Sequence, residues 1–157
     1  MIIRKATLGD IEAIAAQYIR LFSEMAKMQP DCLKPAEQQK SYIRGAITSP
    51  DHLLLVAEKE GGGVAGFVLA QEQKSPAYPC LKPRRLAYLM DMAVSPECRD
   101  LGLGSGFIER VKGWAAARGL EYVELNVLEE NVRAVDLYER HGFKSAMRSM
   151  RFKLPKT

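Results

Sequence analysis

Hydrophobic positions recur along this chain with two periods, near 2 and near 3.6, and the switches between them mark out the elements. "MIIRKA" reads as a short first strand. Thr7 and Asp10 stand three residues apart, the spacing of a capping box, and Ile11, Ile14, Ala15, Tyr18, Phe22 and Met25 then share one helical face. Pro30 and Pro35 punctuate a loop, and a second helix is expected over residues 36–48. "HLLLVAEKE" and "VAGFVLAQEQ", joined by the glycines at 61–63, predict a β-hairpin. Residues 74–85 hold three prolines and the basic residues Lys74, Lys82, Arg84 and Arg85, and read as a surface loop. "LAYLMDMAV" (86–94) is a buried strand with one charged residue. Over 103–118, Phe107, Ile108, Val111, Trp114 and Ala115 form a helical stripe. "LEYVELNV" (120–127) is a strand, and 131–143 is a short helix closed by Gly142. Met150, Phe152 and Leu154 alternate with Arg151 and Lys153 as a last strand would. The order β-α-α-β-β-β-α-β-α-β predicts an α/β or α+β domain with a mixed sheet. With no linker or repeat in sight, residues 1–157 make a single domain.

Composition narrows the function classes. The 157 residues are 47% hydrophobic and 27% charged, enough for one ordinary core. The net charge of +4 is spread among acidic residues without a basic run, which speaks against a nucleic-acid partner. No run is long enough for a membrane span or a signal peptide, so the expectation is a cytoplasmic protein with no membrane partner. Cys32, Cys80 and Cys98 are odd in number and far apart; they predict neither a disulfide framework nor a metal site.

Candidate chemistry concentrates at "SPECRDLGLGSGF" (95–107), a glycine-rich turn between strand and helix. Bare backbone lets N–H groups converge, and a helix N-terminus adds unpaired donors and a positive dipole end, so the stretch suits an anion. The P-loop pattern is absent. A dinucleotide fingerprint fits only partly, because Phe107 stands at its third glycine and seven residues separate Val94 from Gly102.

The remaining pattern, R-x-x-G-x-G at Arg99, Gly102 and Gly104, resembles the GNAT family of N-acetyltransferases. A second stretch agrees: N-x-x-A-x-x-L-Y-x-x-x-G-F at Asn131, Ala134, Leu137, Tyr138, Gly142 and Phe143. The resemblance implies a mixed, mostly antiparallel sheet flanked by helices and splayed between strands four and five. It implies acetyl-coenzyme A as cosubstrate, its pyrophosphate on Arg99, Asp100, Leu101, Gly102, Leu103, Gly104 and Ser105. The pantetheine would lie along Met92, Ala93 and Val94, with a further contact at Asn131. It also implies direct transfer to a primary amine of a small molecule, protein or peptide in a ternary complex. A coenzyme-binding module without turnover is the alternative.

Such a transfer needs a free amine, whose deprotonation at pH 7 costs a lysine-like group about 4.6 kcal/mol, and a proton donor for the leaving thiolate. By resemblance, Tyr138 is the general acid. Asp91 is the base candidate, as the one carboxylate in an apolar strand, where burial raises a pKa. A "Y-x-x-D-x-A-V" run like that at 88–94 is similar to aminoglycoside 3-N-acetyltransferases. His141 and His52 read as structural. The basic loop 74–85 argues against a polycationic acceptor and for one bearing a carboxylate. The chain after Gly142 is short for this family, so the acceptor wall is either reduced or built by a second subunit of a homodimer.

Overall fold

Two apolar runs, long enough to be buried on both faces, form the centre of the molecule, as the unbroken "LLLVA" and "AGFVLA" stretches require. The structure, a computed structural model, describes residues 1–156. In chain order its elements are β1 (Ile2–Lys5), α1 (Ile11–Met28), α2 (Lys40–Thr48), β2 (His52–Glu58), β3 (Val64–Lys74), β4 (Arg85–Val94), α3 (Leu103–Ala117), β5 (Tyr122–Leu125) and α4 (Val132–Arg140). Single 3-10 turns at Leu8–Asp10 and Pro96–Cys98 lead toward α1 and α3. The strands lie in the order β1-β2-β3-β4-β5. The first three pairings are antiparallel and β4–β5 is parallel.

The sheet separates two apolar layers. Leu54, Val56, Phe67 and Leu69 pack against Ile14, Tyr18 and Ile43 of α1 and α2. Leu53, Leu55, Val68 and Leu89 face the other way, onto Phe107 and Val111 of α3. The β2–β3 turn runs through Gly61, Gly62 and Gly63 at φ of 79°, 99° and 94°, a left-handed stretch that only glycine adopts without strain. At the N-terminus, Asp10 accepts the Thr7 amide at 2.7 Å, completing the box that the sequence spacing announced. Arg4 binds the same carboxylate at 2.8 and 3.0 Å and so holds its pKa below the usual range.

Three boundaries differ from expectation. Helix α2 begins at Lys40, because Gln39 is extended at ψ 130° and its amide bonds the Gln38 side chain at 3.0 Å. Strand β5 is confined to Tyr122–Leu125, where β4 offers it partners. The strand expected at 150–154 does not form: residues 144–156 are neither helix nor strand, since alternation alone supplies no neighbour for a ladder.

Candidate active site

The β4–β5 pairing stops at Leu89↔Leu125, although β4 runs on to Val94. One residue further along, β4 bulges. Leu69 of β3 faces Asp91 and Ala70 faces Leu89, so Met90 is the surplus residue. A bulge bends its strand and increases local twist, which carries the end of β4 away from β5. It also breaks the alternation of faces. Leu89 packs on the α3 side, whereas Met90 packs on the α1 side and Asp91, next in sequence, reaches Tyr18 of α1. Met92 and Val94 return to the α3 side, with Ala93 opposite. The main chain of Met92, Ala93 and Val94 therefore lines the open side of a notch, although the Val94 carbonyl is already taken by Arg99 Nε at 3.1 Å.

Beyond the notch the chain turns into α3. The Ser95 amide bonds the Ala65 carbonyl at 2.7 Å and its Oγ accepts Gln17 Nε2 at 2.8 Å, which fixes the end of β4. Asp100 at φ 64° and Gly102 at φ 81° reverse the chain. The Gly102 carbonyl accepts the Gly106 amide at 3.0 Å, so the amides of Leu103, Gly104 and Ser105 have no acceptor within the helix. Three donors at a helix N-terminus, where the dipole adds about 0.3–1 kcal/mol per negative charge, form a receptor for an anion.

The remaining loop side chains hold this receptor in place. The Arg99 guanidinium reaches Glu24 of α1 at 2.8 and 3.1 Å, so its charge braces the loop against α1 instead of facing the helix N-terminus. Asp100 is bound by Arg133 of α4 at 2.9 Å, and Leu101 is exposed. Ser105 Oγ pairs with His141 Nε2 at 2.8 Å, and His141 Nδ1 with Glu109 at 3.0 Å, which clamps the end of α4 to α3. Gly104 serves the same contact: a Cβ there would lie 2.8 Å from Leu137 Cδ2. Asn131 caps α4, its Oδ1 accepting the Ala134 amide at 3.2 Å.

Two candidate proton-transfer groups come from β4 and α4. Asp91 is largely withdrawn from water, which raises its pKa; the Tyr18 hydroxyl, donating at 2.7 Å, works in the opposite direction. Tyr138 of α4 packs onto the α3-side core with its ring edge-on to Phe143, centroids 5.6 Å apart. Burial, and then the charge of Asp91, push its phenol up to about 12. Tyr18, Tyr42 and Tyr88 are raised by burial as well, and each also senses Asp91. The Asp91 carboxylate thus bears on four phenols that stay protonated at neutral pH, of which Tyr18 alone bonds it. The arrangement can accept a proton at Asp91 and donate one from Tyr138.

Of the features expected from the sequence, the left-handed turn at Gly102 and the Asn131 cap form where expected, and Asp91 and Tyr138 are both largely withdrawn from water with raised pKa values. Sequence reasoning missed Tyr18, Glu24 and the Ser105–His141 pair. The trace of Tyr18 lay in its position, a phenol on the otherwise apolar buried stripe of α1. Loop 74–85 lies at the surface as expected, and two of its four basic residues are paired, Arg84 with Glu121 at 2.7 Å and Arg85 with Glu72 at 3.0 Å. Among the described residues no helix is long and apolar enough to cross a membrane.

Comparison with known proteins agrees with this geometry. The model of the acetyltransferase (GNAT) family matches residues 18–143. A thialysine N-epsilon-acetyltransferase from Bos taurus is 33% identical over 151 residues, covering 90% of this chain and 83% of the relative. The mutant F44R BH1408 protein from Bacillus halodurans superimposes with a TM-score of 0.92 at 24% identity, over 99% of this chain and 100% of that one. The aminoglycoside N-acetyltransferase AAC(6')-Iy, solved in complex with CoA, has a TM-score of 0.70 at 16% identity, over 99% of this chain and 100% of that one.

Proposed function

The chain belongs to the acetyltransferase (GNAT) family, and from that premise we propose that it transfers acetyl from acetyl-coenzyme A to a primary amine by direct attack within a ternary complex. The observation that carries this reading is the set of groups around the splayed end of β4: three helix-terminal amides without acceptors follow that strand, which itself carries the buried carboxylate of Asp91, and α4 adds the protonated phenol of Tyr138.

The residues present fit the coenzyme. The amides of Leu103, Gly104 and Ser105 suit a pyrophosphate, with Gly102 turning the chain and Arg99 and Asp100 bracing it. The open main chain of Met92, Ala93 and Val94 suits an extended amide-bearing arm. When bound, acetyl-coenzyme A supplies an acetyl group activated as a thioester. Asp91 takes the proton from the incoming ammonium, directly or through water, and its raised pKa makes it a better base than an exposed carboxylate. Tyr18 holds that carboxylate in one orientation. Tyr138, neutral at working pH, gives a proton to the departing sulfur. The cysteines do not suit an acyl-enzyme route: Cys32 and Cys80 lie in exposed loops and Cys98 is buried in the α3-side core.

For the acceptor, the bovine relative suggests amino acids with a side-chain amine, and the aminoglycoside enzyme suggests amino sugars. The test is thiol release from acetyl-coenzyme A with a panel of both classes, with product masses. Acetylated amine that accumulates with thiol supports the reading. Tight coenzyme binding without turnover on any amine overturns it.

A further inference from the structure

We infer that His141 is a positioning residue for the coenzyme's pyrophosphate, acting through Ser105, and that coenzyme binding draws a proton onto its ring. This rests on the acetyl-coenzyme A reading above and adds to it a residue outside the glycine turn. Its basis is a chain of three side chains, Glu109–His141–Ser105, that ends at the anion receptor. The His141 side chain is 18% exposed, and each ring nitrogen has one partner. Nδ1 meets Glu109 Oε1 at 3.0 Å and Nε2 meets Ser105 Oγ at 2.8 Å. Ser105 also supplies one of the amides at the start of α3 that lack an acceptor within the helix. Amide and hydroxyl belong to one residue, so an anion held by the first is within reach of the second.

The direction of these bonds depends on one proton. The bonds from His141 and Lys112 hold the Glu109 carboxyl below its usual range, so at neutral pH it can only accept, and Nδ1 carries a hydrogen. In the neutral ring Nε2 is then an acceptor, and the Ser105 hydroxyl spends its hydrogen there. Only oxygen lone pairs are left toward an anion. In the imidazolium Nε2 donates instead, and the Ser105 hydrogen is released to a phosphate oxygen. The added positive charge acts in the same sense. Among the surrounding groups Glu109 favours the charged ring. Lys112 of α3 opposes it, its Nζ lying 3.3 Å from Glu109 and 2.7 Å from the His141 carbonyl. Arg140 of α4 is paired with Asp136 at 3.0 Å, and Glu139 and Lys144 flank His141 along the chain. Linkage is reciprocal: an anion that prefers the protonated ring strengthens its hold on the proton, and lower pH tightens the anion.

Binding tests this without reference to turnover. The chain has two histidines, His52 and His141, so magnetic resonance sees two imidazoles, and either His52→Gln or His141→Gln assigns them. On adding coenzyme A to the wild type, the titration midpoint of His141 should move to higher pH while that of His52 stays. Calorimetry near pH 7 in two buffers of different ionisation heat should show proton uptake with the wild type and less with His141→Gln. Relative to that variant, which corrects for titration of the coenzyme's own phosphate, wild-type affinity should gain about tenfold from pH 8 to pH 6. Ser105→Ala keeps the charge and loses the hydroxyl, so it should retain only part of the gain. Coenzyme A that binds with an unmoved His141 midpoint overturns the inference and leaves the acetyl-transfer reading standing. A His141→Gln variant with wild-type pH dependence does the same. The full gain in Ser105→Ala overturns the route through Ser105. A chain that binds no coenzyme A at any pH overturns both readings.

Discussion

The Tyr18 hydroxyl donates a 2.7 Å hydrogen bond to the Asp91 carboxylate, joining helix α1 to the bulged strand β4. The contact sets two opposing effects on one group. Burial raises the Asp91 pKa, and the phenol, by bonding the charged form, lowers it. Tyr18→Phe keeps the ring contacts with Phe22 and Phe67, at 5.3 and 4.7 Å, and removes only the donor. The Asp91 pKa should then rise further. The acidic limb of kcat/KM against pH should move to higher pH while coenzyme affinity stays unchanged. A limb that stays in place would separate Asp91 from the rate-determining ionisation.

Asp91→Asn should lose most activity at neutral pH and regain part at high pH, where free amine is abundant. Its stability should change in the opposite sense. Because the folded pKa lies above 3.8, the native state holds more protons than the unfolded chain between the two values, and stability falls as pH rises through that window. The cost persists at neutral pH, and asparagine is free of it. The variant should therefore melt higher than wild type near pH 7 and show no such gain below about pH 4. Paired melting curves and pH–rate profiles check both statements; a variant that melts lower at neutral pH would make Asp91 a structural acid.

Tyr138→Phe preserves the edge contact with Phe143 and removes the proton donor. It should lower kcat about 10²–10⁴-fold, the usual worth of a general acid, with coenzyme affinity nearly unchanged. Steady-state kinetics with calorimetry distinguish this from a packing role, in which kcat would survive.

The two glycines of the turn should fail in different ways. Gly102→Ala meets no neighbouring atom but must hold φ 81°, a strain of about 1–2 kcal/mol for an L residue. It should loosen the anion receptor and weaken coenzyme binding. Gly104→Ala keeps an ordinary φ and instead displaces Leu137, the residue before Tyr138. It should lower kcat more than affinity. Calorimetric Kd beside kcat for both variants gives the comparison, and identical patterns would remove the distinction between cradle and support.

Much of this was legible in the sequence where the cause is local. The Thr7–Asp10 box, the glycine hairpin turn and the Asn131 cap depend on residues three or four apart, and each appears where the spacing put it. Asp91 was visible because a carboxylate in an apolar strand is costly and therefore conspicuous. The partners of these groups were hidden. Tyr18 lies 73 residues from Asp91 and Glu24 lies 75 from Arg99, and no local pattern fixes such a pairing. Arg99 shows the effect most clearly: its place in the motif suggested a phosphate ligand, whereas its guanidinium rests on Glu24. The missing last strand has the same origin, since Met150, Phe152 and Leu154 carry the pattern but join no strand among the described residues.

The surplus residue at Met90 has a consequence for how this cleft can change. Strand β4 spends one more residue than β3 over the same distance, so the gap beside β5 originates in a mismatch of chain length, not in side-chain size. Substitution along 90–94 can reshape the lining of such a gap without sealing it. Shortening β4 by one residue there should let the strands run level and pair onward from Leu89, erasing the cleft at a stroke. For the opening itself, the number of residues in this segment therefore matters more than the bulk of their side chains.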